Sequence, residues 1–215
     1  MVKSQVVIID FGVGNLLSVR RGFEHCGAEV VLTSDPEAVI AARRVVLPGV
    51  GAFANAMHAL EERNFVPAIR ELAKRGTPLL GICLGMQLLL DESEEFGLTA
   101  GLSLIPGRVV PIHSKTVAGE AQKIPHIGWN SLIPSEYPLD WRSSLLANNV
   151  PGEATYFVHS LMSVPANPAH RVADCLYGGH RIPAVLAKDQ ITACQFHPEK
   201  SGEVGLKILR RFVSA

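Results

Sequence analysis

The chain has 215 residues and a mass of 23.2 kDa, a size at which one α/β domain with a large core is ordinary, so we expect one domain over residues 1–215. Its 20 basic and 20 acidic residues give a formal net charge of zero, which argues against nucleic acid or an anionic membrane as partner. No apolar run reaches the roughly 18 residues of a spanning helix, and residues 1–5 do not look like a signal peptide, so we expect a cytoplasmic protein.

The four cysteines, Cys26, Cys83, Cys175 and Cys194, are scattered without a CxxC spacing. This distribution indicates neither a disulfide framework nor a zinc site. None of the histidines forms a spaced ligand pair such as H-x-x-x-H. We therefore expect no metal and no cofactor.

The chain begins with a strand–turn–helix unit. Residues 6–9 are a β-branched run typical of a central strand, and residues 16–26 form a helical pattern. Gly12 and Gly14 lie between them, but the third glycine of a dinucleotide-binding loop would fall at Leu17. A tight turn is favoured, which leaves Asn15 free to face a partner.

A second and a third strand are predicted at residues 30–32 and 44–47, with a short helix opened by Asp35 and Pro36 between them. The third strand ends in the sequence PGVGAF at residues 48–53. Open α/β sheets bind ligands at the carboxyl ends of parallel strands, and backbone N–H groups there can stabilise a developing negative charge. Residues 48–53 are therefore candidate oxyanion donors, with an ordinary loop as the alternative. Helices are predicted at residues 54–60 and 65–75.

The fourth strand carries the clearest chemical signal. Residues 77–87 read TPLLGICLGMQ, in which an apolar run delivers Cys83 between two glycines, and residues 86–90 favour a helix. This is the layout of a nucleophile elbow: glycines permit the sharp turn, and the helix N-terminus favours a thiolate. Cys83 is the candidate nucleophile, and the backbone N–H of Leu84 is a candidate oxyanion donor.

The alternation of strands and helices up to this point predicts a parallel sheet with right-handed crossovers. The acidic run at residues 91–95 is typical of a solvated helix end, with the alternative that one carboxylate lies beside the pocket. Further along, the sequence predicts short strands that form an antiparallel or mixed extension of the sheet, at residues 109–112, 127–132, 155–159, 171–175 and 184–187.

The last predicted strand, residues 191–196, leads into His197-Pro198-Glu199, and a terminal helix follows at residues 203–213. In extended backbone His197 and Glu199 point the same way. A histidine can accept the proton of a cysteine while a carboxylate fixes its tautomer. If this strand ends at the same sheet edge as Cys83, the three residues form a catalytic triad. Among the other histidines, His159 is the best candidate for a supporting place.

The sequence GICLGMQ at residues 81–87, together with QFHPE at residues 195–199, resembles the class I, triad-type glutamine amidotransferases. Within that family, four further motifs are similar to the glutaminase subunits of imidazole glycerol phosphate synthases; they lie at residues 10–15, 48–53, 124–130 and 156–160. The resemblance covers essentially the whole chain.

The resemblance implies a flavodoxin-like, three-layer α/β fold with an open, mostly parallel sheet flanked by helices and an antiparallel or mixed extension. It implies hydrolysis of L-glutamine to glutamate. The ammonia would pass to a (β/α)8-barrel cyclase subunit in a heterodimer, which makes imidazole glycerol phosphate and aminoimidazole carboxamide ribotide in histidine biosynthesis. The alternative is the same glutaminase chemistry feeding a related barrel that aminates a sugar for surface polysaccharide.

The family pattern also implies roles for individual residues. Cys83 would be the nucleophile, His197 the base and later the acid, and Glu199 its orienter. Backbone groups of Val50, Gly51 and Leu84 would form the oxyanion hole, with the Val50–Gly51 peptide misaligned until partner and nucleotide bind. Glutamine would be held by Gly51, Gln87, Glu95, Ser160 and the Leu161 backbone, with Glu95 contacting the α-ammonium group. The positions expected to face the cyclase are Asn15, Ser18, Trp129, Tyr156 and Lys200.

Three residues depart from the family pattern. Leu161 stands where an aromatic residue is frequent, Phe11 stands where tyrosine is frequent, and Cys194 beside the triad strand is uncommon. Two rival functions follow from the residues alone: a non-catalytic binding protein of the same fold, and a cysteine hydrolase of another substrate such as a γ-glutamyl peptide.

Overall fold

The computed structural model describes residues 4–137 and 140–214. The expectation about a signal peptide concerned residues 1–5, and residues 1–3 of that segment lie outside the described part. The first half alternates strands and helices: β1 Gln5–Ile9, α1 Leu16–His25, β2 Glu29–Thr33, α2 Pro36–Ile40, β3 Val45–Gly49, α3 Phe53–Glu62, α4 Phe65–Lys74, β4 Leu79–Cys83 and α5 Leu84–Leu88.

Short strands dominate the second half until a final helix: β5 Glu92–Ser93, β6 Thr99–Ala100, β7 Gly107–Pro111, β8 His126–Ser131, β9 Ile133–Pro134, β10 Ala154–His159, β11 Leu161–Pro165, β12 Arg171–Tyr177, β13 His180–Lys188, β14 Ile191–Cys194 and α6 Gly202–Ser214. Three short 3₁₀ helices complete the described elements: Trp141–Ser143, Pro168–His170 and Pro198–Lys200.

The largest sheet has eight strands in the order β2-β1-β3-β4-β14-β13-β12-β9. The five strands from β2 to β14 are parallel, and β13, β12 and β9 extend the sheet in antiparallel fashion. Because β3, β4 and β14 run side by side in one direction, their carboxyl ends meet at one edge. The predicted fold class is confirmed.

Helices cover both faces of this sheet. In β1 the side chains of Val6 and Ile8 pack in one apolar cluster with residues of α1 and α6, whereas Val7 and Ile9 pack in another with residues of α3, α4 and α5. This alternation follows from the period of two residues in a strand. Among the described residues, no helix is both long and apolar enough to cross a membrane.

Most predicted elements form within one or two residues of the expected bounds. The N-cap of α2 is Asp35, whose Oδ1 accepts a hydrogen bond from the Glu37 N–H at 3.0 Å. The helix predicted at residues 86–90 begins earlier, at Leu84, and ends at Leu88, so it starts directly after Cys83.

The short strands were all predicted to extend the large sheet, but only some of them do. β12 and β13 do, but β8 pairs with β10 as a separate ribbon, and β7 lies in a four-stranded sheet of order β11-β7-β5-β6. Period-two patterning shows that one face of a strand is buried without showing which strand pairs with it. The acidic run is not a solvated helix end, because Glu92 and Ser93 form β5, which pairs with β7.

Candidate active site

A cavity of about 320 Å³ lies at the edge where β3 and β4 end. It brings together most residues that the sequence singled out; its lining consists of Val50, Gly51, Cys83, Leu84, Gln87, Glu95, Pro125, Val158, His159, Ser160, Leu161 and His197. A larger groove of about 660 Å³ beside α2 and α4 contains neither cysteine nor histidine. The smaller cavity is therefore the candidate active site.

Cys83 lies at the turn between β4 and α5 with φ 55° and ψ −110°, a conformation that non-glycine residues rarely adopt. Its side chain is 7% exposed and opens into the cavity. The turn depends on the flanking glycines: a Cβ atom on Gly85 would lie 1.8 Å from the Leu47 carbonyl oxygen, and one on Gly81 would lie 2.8 Å from the Gly85 carbonyl oxygen. The predicted nucleophile elbow is present in this form.

His197 follows β14 and is oriented by Glu199. Its Nδ1 lies 2.7 Å from Glu199 Oε1, and both side chains are almost completely buried. The turn is also fixed through the backbone, because the His197 N–H donates to the Tyr156 carbonyl at 2.9 Å and the Ser201 hydroxyl donates to the His197 carbonyl at 2.6 Å. Among the described residues, buried Nε2 of His197 has no hydrogen-bond partner within normal distance, which leaves it available to Cys83 and substrate.

The charges around His197 determine its protonation. Burial by itself would lower the pKa of this imidazole, but interactions with Cys83 and Glu199 outweigh burial and raise the pKa to about 9. At neutral pH the ring is therefore an imidazolium held between two acidic groups. A group of this kind can deliver a proton to a leaving amine.

The predicted oxyanion donors lie on the loop after β3 and at the start of α5, beside Cys83. Gly49 pairs with Cys83 across β3 and β4, and a Cβ atom on Gly49 would lie 3.1 Å from the Leu84 Cβ. Gly51 has φ +100°, where a side chain would be strained, and Val50 is 39% exposed. The loop therefore comes close to the start of α5, and its geometry depends on glycine.

The other residues predicted to hold glutamine line the same cavity. Buried Gln87 donates through Nε2 to the Leu161 carbonyl at 3.3 Å, and exposed Ser160 precedes β11. Glu95 Oε2 accepts a hydrogen bond from the Phe53 N–H, the first residue of α3, at 2.6 Å. A carboxylate from the acidic run thus lies in the cavity wall, as the alternative interpretation of that run predicted.

Gln195 is a site residue to which sequence analysis gave no role. It is fully buried; its Oε1 accepts from Gln87 Nε2 at 3.0 Å, and its Nε2 lies 3.8 Å from Cys83 Sγ. The amide therefore joins a glutamine-binding candidate to the nucleophile. The signal was a polar amide two residues before His197 in a mostly apolar predicted strand, since positions two apart share a face.

His126 and His159 form a second buried histidine site, next to the first. His126 Nδ1 lies 3.0 Å from His159 Nε2, and His159 Nδ1 lies 2.8 Å from the Leu161 carbonyl oxygen. Burial lowers the pKa of each ring to about 4; for His159 the hydrogen bond to Leu161 opposes this effect, and the charges of His126 and His197 add to it. Both rings are therefore neutral at physiological pH.

The positions expected to face a partner do not line the cavity. Asn15 precedes α1, Ser18 lies on α1, and Lys200 is exposed in the 3₁₀ helix that follows His197. Trp129 on β8 is 60% exposed and its ring centroid lies 6.1 Å from that of Tyr156 on the paired strand β10. A paired aromatic group on an outer ribbon face is typical of a protein contact.

Comparison with known proteins links this geometry to one family. The family model described as "Glutamine amidotransferase class-I" matches residues 7–215. The chain is 51% identical over 210 residues to the protein named imidazole glycerol phosphate synthase subunit HisH 1 of Legionella pneumophila (strain Lens), covering 98% of this chain and 99% of that protein. It is 46% identical over 210 residues to the HisH subunit of Geobacter sulfurreducens, covering 97% and 98%.

Solved structures of low sequence identity share the fold. A crystal structure of a glutamine amidotransferase superposes with a TM-score of 0.71 at 15% identity, covering 97% of this chain and 99% of that chain. The structure of PurLQS from Thermotoga maritima gives a TM-score of 0.70 at 18% identity, covering 99% of each chain.

Proposed function

The chain belongs to the class I glutamine amidotransferases, and we infer that it is the glutaminase subunit of an imidazole glycerol phosphate synthase of histidine biosynthesis. The observation that carries this inference is identity of 46–51% along almost the whole length of relatives with that name. The same relatives favour the histidine pathway over a barrel that aminates a sugar for polysaccharide.

We propose that Cys83, His197 and Glu199 are the catalytic residues and that glutamine occupies the 320 Å³ cavity. With the proton already on His197, the sulfur of Cys83 attacks the side-chain amide carbon of glutamine as a thiolate. The resulting oxyanion is stabilised by backbone N–H groups of Gly51 and Leu84. Glu199 holds the His197 Nδ1 proton, so that Nε2 faces the reaction.

The first half of the reaction ends when the carbon–nitrogen bond breaks. The imidazolium of His197 donates its Nε2 proton to the departing nitrogen, which leaves as ammonia, and a γ-glutamyl thioester remains on Cys83. In the second half neutral His197 takes a proton from water, and the hydroxide adds to the thioester carbon. Collapse of that intermediate breaks the carbon–sulfur bond, leaves the proton on His197 and the thiolate on Cys83, and releases glutamate.

Substrate orientation is proposed to come from other residues that line the cavity. The Glu95 carboxylate, fixed by the Phe53 N–H, is placed to accept hydrogen bonds from the α-ammonium group of glutamine. Gln87, Ser160 and the Leu161 backbone would contact the rest of the substrate. The Leu161 backbone carbonyl accepts the hydrogen bonds from Gln87 and His159, so an aliphatic side chain at this position is compatible with this role.

The chain acts as one subunit of a synthase, and we propose that its partner is a (β/α)8-barrel cyclase that receives the ammonia in the cytoplasm. The surface proposed to contact it contains Asn15, Ser18, Trp129, Tyr156 and Lys200. Its aromatic pair, in which Trp129 is exposed, lies on the ribbon that ends beside the cavity, which supports a link between partner binding and the site. We propose that the Val50–Gly51 peptide becomes aligned as an oxyanion donor only in the complex.

The decisive experiment reconstitutes the chain with the histidine-pathway cyclase and its ribonucleotide. We expect glutamine-dependent formation of imidazole glycerol phosphate and a strong rise in glutamate release when both are added. Cys83→Ala should lower the glutamine-dependent rate by several powers of ten and leave the rate with added ammonia intact. Cys26→Ala is the matched control, because this thiol follows α1, outside the cavity.

Four outcomes would contradict the proposal. Full glutaminase activity of Cys83→Ala would exclude the triad. Activation by a sugar-aminating barrel but not by the cyclase would reassign the pathway. Absence of labelling of Cys83 by an electrophilic glutamine analogue would favour a non-catalytic protein, and a preference for γ-glutamyl peptides would favour a different hydrolase.

A further inference from the structure

We propose that Asn130, His126 and His159 form a relay of hydrogen bonds that positions the Leu161 carbonyl and thereby the glutamine-binding wall of the site. This assignment rests on the function proposed above, because it gives these three residues a role toward the same substrate. They are positioning residues, which act through Leu161.

The relay is continuous from strand β8 to the cavity. Asn130 Nδ2 lies 3.3 Å from His126 Nε2, His126 Nδ1 lies 3.0 Å from His159 Nε2, and His159 Nδ1 lies 2.8 Å from the Leu161 carbonyl oxygen. A second hydrogen bond anchors its outer end, where Asn130 Nδ2 donates to the Leu176 carbonyl at 2.7 Å.

The acceptor at the inner end fixes the direction of every bond. A carbonyl oxygen can only accept, so His159 carries its proton on Nδ1 and presents Nε2 as an acceptor. His126 must therefore donate from Nδ1, which makes its Nε2 the acceptor for the Asn130 amide. One arrangement of protons satisfies all three bonds with both rings neutral, and their low pKa values of about 4 agree with it.

Stacking holds the central ring in the orientation that this arrangement needs. The His126 ring lies between two aromatic rings, Phe157 at a centroid distance of 4.9 Å and Tyr177 at 4.1 Å, with interplanar angles of 20° and 28°. The Tyr177 hydroxyl in turn donates to the Lys123 carbonyl at 2.5 Å. Rotation of His126 away from His159 would break both stacks.

The inner end of the relay reaches substrate-binding groups. The Leu161 carbonyl that accepts from His159 also accepts from Gln87 Nε2, which contacts Gln195, which contacts Cys83 Sγ. Two histidines with a purely structural role would not need to end at a carbonyl that also contacts the substrate-binding groups. Because two donors share one carbonyl, loss of the His159 bond would displace both Leu161 and Gln87.

The outer end of the relay, at Asn130, lies on strand β8, on the face opposite to the proposed partner surface. In β8 the side chains alternate, so Ile127 and Trp129 are exposed on one face while His126 and Asn130 lie on the other. The ribbon that would contact a partner on one face thus carries the relay on its other face. The relay connects this ribbon to the site through side chains as well as through strand β10.

Two amide substitutions at one position separate the relay from a local contact. In His159→Asn the amide nitrogen takes the place of Nδ1, which keeps the donor to Leu161 and removes the bond to His126. In His159→Gln the amide reaches the His126 side, and the donor to Leu161 is lost. Glutaminase kinetics of the assembled synthase should show the larger rise in KM for His159→Gln, about tenfold for the loss of one hydrogen bond, with a smaller change in kcat.

His159→Asn and Asn130→Ala should each raise KM about threefold, because the Leu161 donor remains and only its orientation is loosened. Nitrogen chemical shifts of the histidine rings provide a test that does not depend on activity: His126 and His159 should both be Nδ1–H tautomers. Unchanged KM in all three variants, an Nε2–H tautomer at either ring, or parallel loss of kcat, 1/KM and thermal stability would overturn the proposal.

The experiment distinguishes failure of the proposed function from failure of the relay. If the unmodified synthase neither hydrolyses glutamine nor reacts at Cys83 with an electrophilic glutamine analogue, the function is wrong whatever the ring tautomers are. If the unmodified synthase is active and His159→Gln has the KM of the unmodified protein, the relay alone is wrong.

Discussion

Two buried histidine sites lie side by side in this protein and have opposite protonation. His197 is held as an imidazolium with a pKa of about 9, whereas His126 and His159 are held neutral with pKa values of about 4. Burial lowers the pKa at all three positions. The partners make the difference: His197 interacts with Cys83 and with the Glu199 carboxylate, whereas the other two contact amides, carbonyls and each other.

The comparison shows how one residue type serves two tasks at and behind one cavity. A charged ring beside Cys83 can give up a proton during each turnover, whereas a neutral ring with a fixed tautomer keeps a hydrogen bond in one direction. The following predictions exchange or remove the partners that create this difference.

Glu199→Gln should have the largest effect after loss of the nucleophile. It keeps the shape of the side chain and removes the charge, so the pKa of His197 should fall from about 9, with only Cys83 left to oppose the effect of burial. We expect kcat of the assembled synthase with glutamine to drop about a thousandfold to ten-thousandfold, as for loss of an orienting carboxylate. Titration of His197 by NMR together with steady-state rates checks both parts. A rate within tenfold of the unmodified enzyme would show that Glu199 is not the orienter.

The two sites should affect folding stability at opposite ends of the pH scale. The folded-state pKa of His197 is raised from 6.5 to about 9, so its contribution is fully present below pH 6.5 and is lost as pH rises through 9. The pKa of His159 is lowered from 6.5 to about 4, so its contribution is present above pH 6.5 and is lost as pH falls toward 4. Each difference corresponds to about 3 kcal/mol.

Urea unfolding between pH 4 and pH 9.5 measures both limbs. Glu199→Gln should flatten the alkaline limb only, and His159→Gln should flatten the acid limb only. If either variant changed both limbs equally, the two histidine sites would not titrate independently.

Gln195→Leu should have the smallest effect of the three. It removes the amide that joins Gln87 to the Cys83 sulfur while leaving the charges around His197 in place. We expect about a tenfold loss in kcat/KM for glutamine, the size of one buried hydrogen bond. Thr192→Val on the same strand is the matched control, since its buried hydroxyl has no partner among the described residues. Equal effects of the two substitutions would mean that Gln195 only packs in the core.

Much of the fold followed from local patterns. The strand–helix units up to Cys83 and the terminal unit around His197 form as predicted, because period-two and period-3.6 patterns and helix caps act over a few neighbouring residues. The assignment of β7, β8 and β10 to the large sheet was wrong. Strand pairing there depends on contacts between distant segments, which a hydrophobic pattern does not specify.

The candidate site divides in the same way. Cys83, His197 and Glu199 stand out in the sequence, since each lies in a turn motif with its own chemical logic. Gln195 and His126 received no role, and Glu95 was left between two interpretations. Their roles depend on atoms many residues away: Gln87 for Gln195, His159 for His126 and the start of α3 for Glu95.

The sequence by itself determined which residues can react: a cysteine in a glycine-flanked turn, and a histidine two positions before a glutamate. Tertiary structure alone decided how those residues and their neighbours are ionised. Whether a buried histidine is charged depends on the group that it contacts, and that group is supplied by another strand or turn. Local sequence therefore specifies which reactive side chain stands at each position. The contacts made at the assembled sheet edge decide the protonation state in which that side chain acts.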